Sequence, residues 1–327
     1  MKCKFKIGIS CLVTVLLTMA IIHSLGKLLR PIDTDIAFNA IETFHDMPED
    51  AFEVIGYGSS HMWRGFSPME MYEKYGIGAY NYGCNWQHIN TTALFLKDSL
   101  RTQSPKVALI ETYLVNELLI DTNVDGEIYY TREISNFAGK QKYLKQCFGN
   151  DMERYLSYYM PLCAFHDNWV NLESGNFLEN SNGNDFYKTM GFVRTEKAEP
   201  VTIDDYSTFD QKDLSENAIE VLDDIVMTCK ENNIDIVFYT APWQGTYVYG
   251  DAMGRYAAEN GCQYFNLFEM MDEIGIDCNT DFRDKGHLNN SGAVKVADFL
   301  GEYIVNNYNV TDMREIEGNI WEQALQR

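Results

Sequence analysis

Histidine is scarce in this chain: six occur in 327 residues, and one of them, His23, lies inside an apolar N-terminal run. No His-x-x-x-His and no Cys-x-x-Cys pair is present, so no metal-ligand spacing exists and neither a metal nor another cofactor is expected. Positive charge is also short. Setting aside the five Lys and Arg of residues 1–30 leaves 21 against 48 Asp and Glu, a net charge of −27. Phosphate backbones and anionic headgroups repel such a domain, which makes nucleic acid and anionic membrane surfaces poor partners. Beyond residue 30, Cys84, Cys147, Cys163, Cys229, Cys262 and Cys278 form no dense framework. A bridge such as Cys229 to Cys262 is open to them, but spacing assigns no connectivity. Internal repeats and low-complexity tracts are absent. What remains is one large domain, or one domain with an insertion, and 46% hydrophobic residues suffice for a sizeable core.

The N-terminus stands apart. Lys2, Lys4 and Lys6 precede apolar residues 7–25, and Lys27 and Arg30 follow. Nineteen residues at helical rise match the ~30 Å hydrocarbon core of a bilayer. A cleaved signal peptide begins the same way, but its apolar part is shorter and ends at a small-residue site that is not evident here. Cys11 comes too early for lipoprotein cleavage. Residues 1–30 therefore read as an uncleaved membrane anchor. The flanking charges, three before and two after, favour a cytoplasmic N-terminus. That predicts a single-pass protein of the cell membrane, with residues 31–327 extracytoplasmic.

Short apolar runs recur at residues 52–57, 79–83, 107–111, 234–240 and 264–267, with helical patterns at 91–101, 214–231, 252–260 and 291–306. Runs of this length between periodic helices predict parallel strands joined by crossovers, hence an α/β fold with a parallel five-stranded sheet. Gly261 follows the third helix, and Ser291 reads as the N-cap of the fourth. The third and fourth runs are about 120 residues apart, far more than the ~10–12 a crossover needs. A large insertion after strand 3, about 116–206, is expected to form a cap beside the ligand-binding edge of the sheet. The tail, 313–325, carries Met313, Ile316, Ile320 and Trp321 on one helical face and is expected to pack back on the domain.

Ligands gather at the carboxyl ends of strands in such a sheet. The first run ends in Gly58-Ser59-Ser60-His61 at such an end, and the last is followed by Asp284-Lys285-Gly286-His287. A serine nucleophile needs a base, and the base needs a carboxylate to fix its tautomer. Asp and His three residues apart on a turn supply both, whereas Asp281, six residues away, is expected to face solvent or cap the loop. Asp204-Asp205 and Asp223-Asp224 read as solvated faces, and His45 and His88 belong to no constellation. The sequon Asn289-Asn290-Ser291 abuts the Asp/His motif, where a glycan would obstruct chemistry, so the three sequons read as chance matches.

Together, Gly58-Ser59-Ser60, Asn81-Tyr82-Gly83 and Asp284-x-x-His287 resemble the SGNH (GDSL-like) hydrolase superfamily. With its anchor, the chain is similar to the membrane-anchored branch acting with alginate acetylation and teichoic-acid D-alanylation. The resemblance covers residues 50–112 and 213–306, not the insertion, and implies a three-layer flavodoxin-like sandwich. It implies Ser60 as nucleophile, His287 as base, Asp284 as its orienting acid, and the N–H groups of Ser60 and Gly83 as oxyanion donors. The third block departs from the family pattern: Ile110-Glu111-Thr112-Tyr113-Leu114-Val115-Asn116 stands where Gly-x-Asn-Asp is usual. Asn116 is the candidate third donor, with Tyr113 and Thr112 as substitutes. Asn85-Trp86 replaces a later glycine of the second block. His61 is a candidate to line the site, and His166 and Trp169 are candidate substrate contacts in the aromatic-rich insertion.

The leading expectation is a serine esterase acting through an acyl-enzyme on acyl esters of a cell-surface glycan or polymer. An O-acyltransferase uses the same triad, with a membrane acyl-transfer partner as donor. A catalytically inert envelope assembly or binding subunit is the reading from another class.

Overall fold

A computed structural model of the chain describes residues 2–30, 32–118, 127–177, 185–203 and 210–326. The N-terminal run is one helix, α1 (Lys2–Leu28), exposed along its apolar stretch. Within it, Lys6–Leu28 is long and apolar enough to cross a membrane. Helix α2 (Ile32–His45) follows and begins the domain proper.

Five strands, β1 (Val54–Tyr57), β2 (Ala79–Asn81), β3 (Val107–Glu111), β4 (Asp235–Thr240) and β5 (Gln263–Asn266), form one all-parallel sheet in the order β2-β1-β3-β4-β5. Helices α3 (Ser60–Gly65) and α4 (Pro68–Tyr75) follow β1, and α5 (Ile89–Ser99) follows β2. After β3 come α6 (Phe137–Phe148), α7 (Met152–Tyr159), α8 (Pro161–Phe165) and α9 (Phe186–Thr189). Helix α10 (Glu216–Glu231) leads into β4, and α11 (Gly250–Asn260) links β4 to β5. The chain closes with α12 (Asn290–Asn307) and α13 (Ile320–Gln326).

Side chains alternate across a strand with period two, and here both faces are covered. Ile55, Tyr57, Ala108, Ile110, Ile236 and Phe238 pack with residues of α2, α5, α10 and α11. Val54, Val107, Leu109, Val237 and Tyr239 pack with Met62 and Phe66 at α3, Met71 of α4, and Val296, Leu300 and Ile304 of α12. The result is a three-layer α/β sandwich. Burial on both faces is why these strands read as continuous apolar runs.

Several local expectations change. The N-cap of α12 is Asn289 and not Ser291: its side chain accepts the Gly292 N–H at 3.2 Å while its amide donates to Thr280 and Lys197 carbonyls. A hydroxyl lacks the reach to join three segments. Cys229 and Cys262 are free thiols, their sulfurs serving the core around α10 and the turn before β5. The helices of the insertion pack mainly on α5 and α1 and on each other, where Tyr143, Phe148, Tyr158 and Phe165 extend the α2/α5 core. Its return segment comes back to the sheet, with Asn81 N–H donating to Met190 O at 2.8 Å and Val193 N–H to Trp63 O at 3.0 Å. Tyr206, the expected end of the insertion, lies outside the described residues, as do Asp204 and Asp205.

The tail is two short helical pieces, Met313–Glu315 and α13, separated at Gly318 with φ of 71°, and not one helix. It packs back through Trp321, which is 1% exposed, stacks on Tyr72 and donates its indole N–H to Ala79 O of edge strand β2 at 3.2 Å. Trp321→Ala is expected to cost about 3–5 kcal/mol of stability, measured by denaturant unfolding, since it leaves a large void over β2. A loss under about 1 kcal/mol would show that the tail is not part of the cooperative core.

Candidate active site

Strand β1 stops because Gly58 must. A Cβ there would lie 2.6 Å from Glu111 Cβ and 3.0 Å from Glu111 Oε2, so only glycine lets the end of β3 approach this closely. Ser59 then caps α3, its Oγ accepting the His61 N–H at 3.2 Å. Ser60 is the first residue of the helix. Its N–H is one of the four that a helix leaves without an intrahelical acceptor, beside the positive end of a short dipole.

From 227 positions away, the loop before α12 brings in His287. Ser60 Oγ lies 2.8 Å from His287 Nε2, and His287 Nδ1 lies 2.9 Å from Asp284 Oδ1. Asp284 Oδ1 also accepts the Gly286 and His287 N–H groups, each at 3.0 Å. Burial works against ionisation of Asp284, but the Gly286 N–H, then the His287 ring, hold its carboxyl below the usual range. An ionised Asp284 fixes the proton of His287 on Nδ1 and leaves Nε2 to accept from Ser60. Burial lowers the His287 imidazole, against the pull of Asp284 and with Arg64 and Arg283 adding to the lowering. The ring is therefore neutral near pH 7, the state a general base needs.

Comparison of the sequence with protein-family models and with curated proteins finds no match. Geometry therefore carries the argument from here.

His61 stands beside Ser60 and His287 and is only 5% exposed. Its ring stacks on His287 (4.8 Å, 18°) and on Trp243 (5.0 Å, 16°), with Tyr113 edge-on at 4.5 Å. Burial, and secondarily repulsion whenever His287 is protonated, hold the His61 imidazole well below its usual range, and its neutral ring backs that of His287. Gly83 sits against the nucleophile turn, where a Cβ would fall 2.9 Å from Met62 Cγ and 3.0 Å from Gly58 O. Its N–H points to Asn81 Oδ1 at 3.2 Å. Asn116 is not brought to the triad: its amide donates to Tyr249 OH at 3.2 Å and its oxygen accepts the Ser215 N–H at 2.6 Å, tying the turn after β3 to α10. Thr112 is spent between strands, on Tyr239 O and Thr240 Oγ1. His166 and Trp169 are exposed, and Asn168 between them bonds the Leu29 carbonyl just past the end of α1. Of the other carboxylates, Asp223 accepts from Tyr256 OH, and Asp224 pairs with Lys97. His45 bonds buried Asp98. Among the described residues no group of three His, Cys, Asp or Glu side chains is arranged to hold a metal.

Of the two expectations for Asp281, facing solvent fails and capping the loop holds. It is fully buried, accepts the Asp277 N–H at 2.7 Å and pairs with Lys295 at 2.6 Å. A hub that fastens the loop before α12 to that helix needs its carboxylate inside.

Sequence reasoning missed Glu111 and Trp243. Trp243 follows β4 at a carboxyl end, and that position was the available signal. Glu111 ends β3, and its carboxylate accepts the Ser59 N–H (3.1 Å), the Ser59 O–H (2.7 Å) and the Tyr113 N–H (2.5 Å). It thus holds the residue next to Ser60. Burial outweighs these bonds and pushes its carboxyl up from 4.5 to about 7. The folded state then keeps a proton that the unfolded state has released. Its contribution to stability is therefore complete below about pH 4.5 and is lost as pH rises to about 7. Glu111→Gln is expected to remove this slope of about 1.4 kcal/mol per pH unit, seen by unfolding both proteins across the window. A wild-type-minus-variant difference that rises with pH would overturn the assignment.

Proposed function

We propose that this chain is a membrane-anchored serine esterase of SGNH-like type. The observation that carries the reading is the continuous Ser60–His287–Asp284 relay at the carboxyl end of a parallel sheet. Ser60 Oγ attacks an ester carbonyl and its proton passes to His287 Nε2. The tetrahedral intermediate collapses, the C–O bond to the alcohol breaks, and the His287 proton goes to the leaving oxygen. Water then repeats the cycle on the acyl-enzyme and restores Ser60. The Ser60 N–H is the first oxyanion donor, and the adjoining Gly83 turn supplies a second if its weak bond to Asn81 yields. Acyl transfer to a sugar or polyol hydroxyl differs only in the acceptor that replaces water. The anchor, with the domain outside the cytoplasm, favours an acylated surface glycan or polymer as substrate.

One observation favours a second reading. With Asn116 tied to α10 and the Gly83 N–H engaged, the oxyanion site is thinly furnished, which suits an inert envelope assembly subunit. A fluorophosphonate probe on the detergent-solubilised full chain, followed by peptide mass spectrometry, separates the two. Labelling at Ser60 supports the esterase, and an unlabelled, folded protein supports the inert subunit.

A further inference from the structure

The anchor helix is fastened to the insertion at its very end. A Cβ at Gly26 would lie 2.7 Å from both Pro161 Cβ and Leu162 N, so the last turns of α1 lie directly against α8. Helices leave their final carbonyls without partners, and here side chains take them. Asn168 Nδ2 donates to Leu29 O at 2.9 Å, and Asn176 Nδ2 donates to Leu28 O at 3.3 Å and Arg30 O at 2.8 Å. Two asparagines eight residues apart thus clamp one segment onto residues 28–30.

That clamped segment exposes large apolar side chains. Trp169 is 66% exposed, Val170 64% and Phe177 65%. If α1 spans a bilayer, residues 28–30 lie where hydrocarbon gives way to headgroups, and whatever is bonded to them lies at the same depth. Tryptophan is the side chain most suited to that level, with an apolar body and a polar N–H. Asp167 and Glu173 in the same stretch are acidic, so attraction to anionic lipid cannot be the driving force. Apolar insertion into a zwitterionic surface can.

We propose that residues 166–177 are a membrane-docking element. Trp169, Val170 and Phe177 enter the interfacial layer of the bilayer that α1 crosses, which fixes the height and tilt of the domain. The proposal rests on α1 being a membrane span and is independent of the chemistry at Ser60. The assignment of Trp169 to docking replaces its expected role as a substrate contact.

The test uses the full chain reconstituted in phosphatidylcholine nanodiscs, one chain per disc, with and without bromine on the lipid acyl chains. The Trp169 signal is wild-type emission minus that of Trp169→Phe. Blue-shifted emission, quenched at least twofold by brominated lipid, is expected. Water-like, unquenched emission from a chain that resists alkaline carbonate extraction overturns the docking while leaving the anchor intact. Release by carbonate overturns both. A blue shift without bromine quenching at one chain per disc overturns lipid as occupant, assigning the patch to protein. Val170→Ser with Phe177→Ser, both exposed and so harmless to folding, is expected to reduce the quenching, and unchanged quenching would remove those two residues from the element.

Discussion

Ser60→Ala is expected to lower kcat for a short-chain aryl ester by roughly 10⁶-fold, the scale seen when a serine nucleophile is removed from an assembled triad. The reason is local. Ser60 Oγ is the only hydroxyl of the Gly58-Ser59-Ser60 turn that meets His287 Nε2, at 2.8 Å. Its neighbour Ser59 donates to Glu111 and caps α3. Ser59→Ala should therefore weaken the turn, lowering stability by about 1 kcal/mol through the lost cap, with a modest fall in rate. Kinetics on both folded variants decide the register: full activity in Ser60→Ala with none in Ser59→Ala would move the nucleophile one residue back.

Asp284→Asn is expected to lower kcat by about 10²–10⁴-fold. An amide oxygen can still accept the Nδ1 proton, but the amide N–H₂ end competes and favours the wrong imidazole tautomer. Asp284 also raises the affinity of His287 for a proton, so its loss should move the acidic limb of the pH–rate profile to lower pH. An acidic limb that stays in place would show that Asp284 does not act on the base. Asp281→Asn should behave in the opposite way. It removes the buried charge that pairs with the partly exposed Lys295 and accepts the Asp277 N–H, and so lowers the melting temperature, while the kcat of the folded fraction stays near wild type. A greater kcat loss at Asp281 than at Asp284, with both proteins folded, would reverse the assignment of the acid.

Strand β3 lies where its apolar run said it would, at residues 107–111, because burial on both faces demands an unbroken run of apolar side chains. The Asp284–His287 pair was equally legible, since three residues on one turn bring two side chains together without help from the rest of the chain. That the N-terminal helix is long and apolar enough to cross a membrane could be read from length and composition alone. All of these are local properties: periodicity, spacing within a turn, and mean hydropathy.

The remaining features depend on contacts between loops distant in sequence. Ser60 meets His287 only because β1 and the loop before α12 open at the same end of the sheet. Glu111 looked like the last residue of a strand until Gly58 brought Ser59 against it. Asp281 and Asp284 differ by three positions and carry the same charge, yet one is locked to Lys295 inside the protein while the other bonds the His287 ring. Asn116 had the right chemistry for an oxyanion donor, but Ser215 and Tyr249 compete for its amide. Trp169 reads as a candidate substrate contact of the aromatic-rich insertion, and only the bond of Asn168 to Leu29 brings its segment to the end of α1. Residue type and local spacing determine which side chains can do a given chemistry. Which of them does it is set by the neighbours that packing brings within hydrogen-bond range, and those neighbours come from anywhere in the chain.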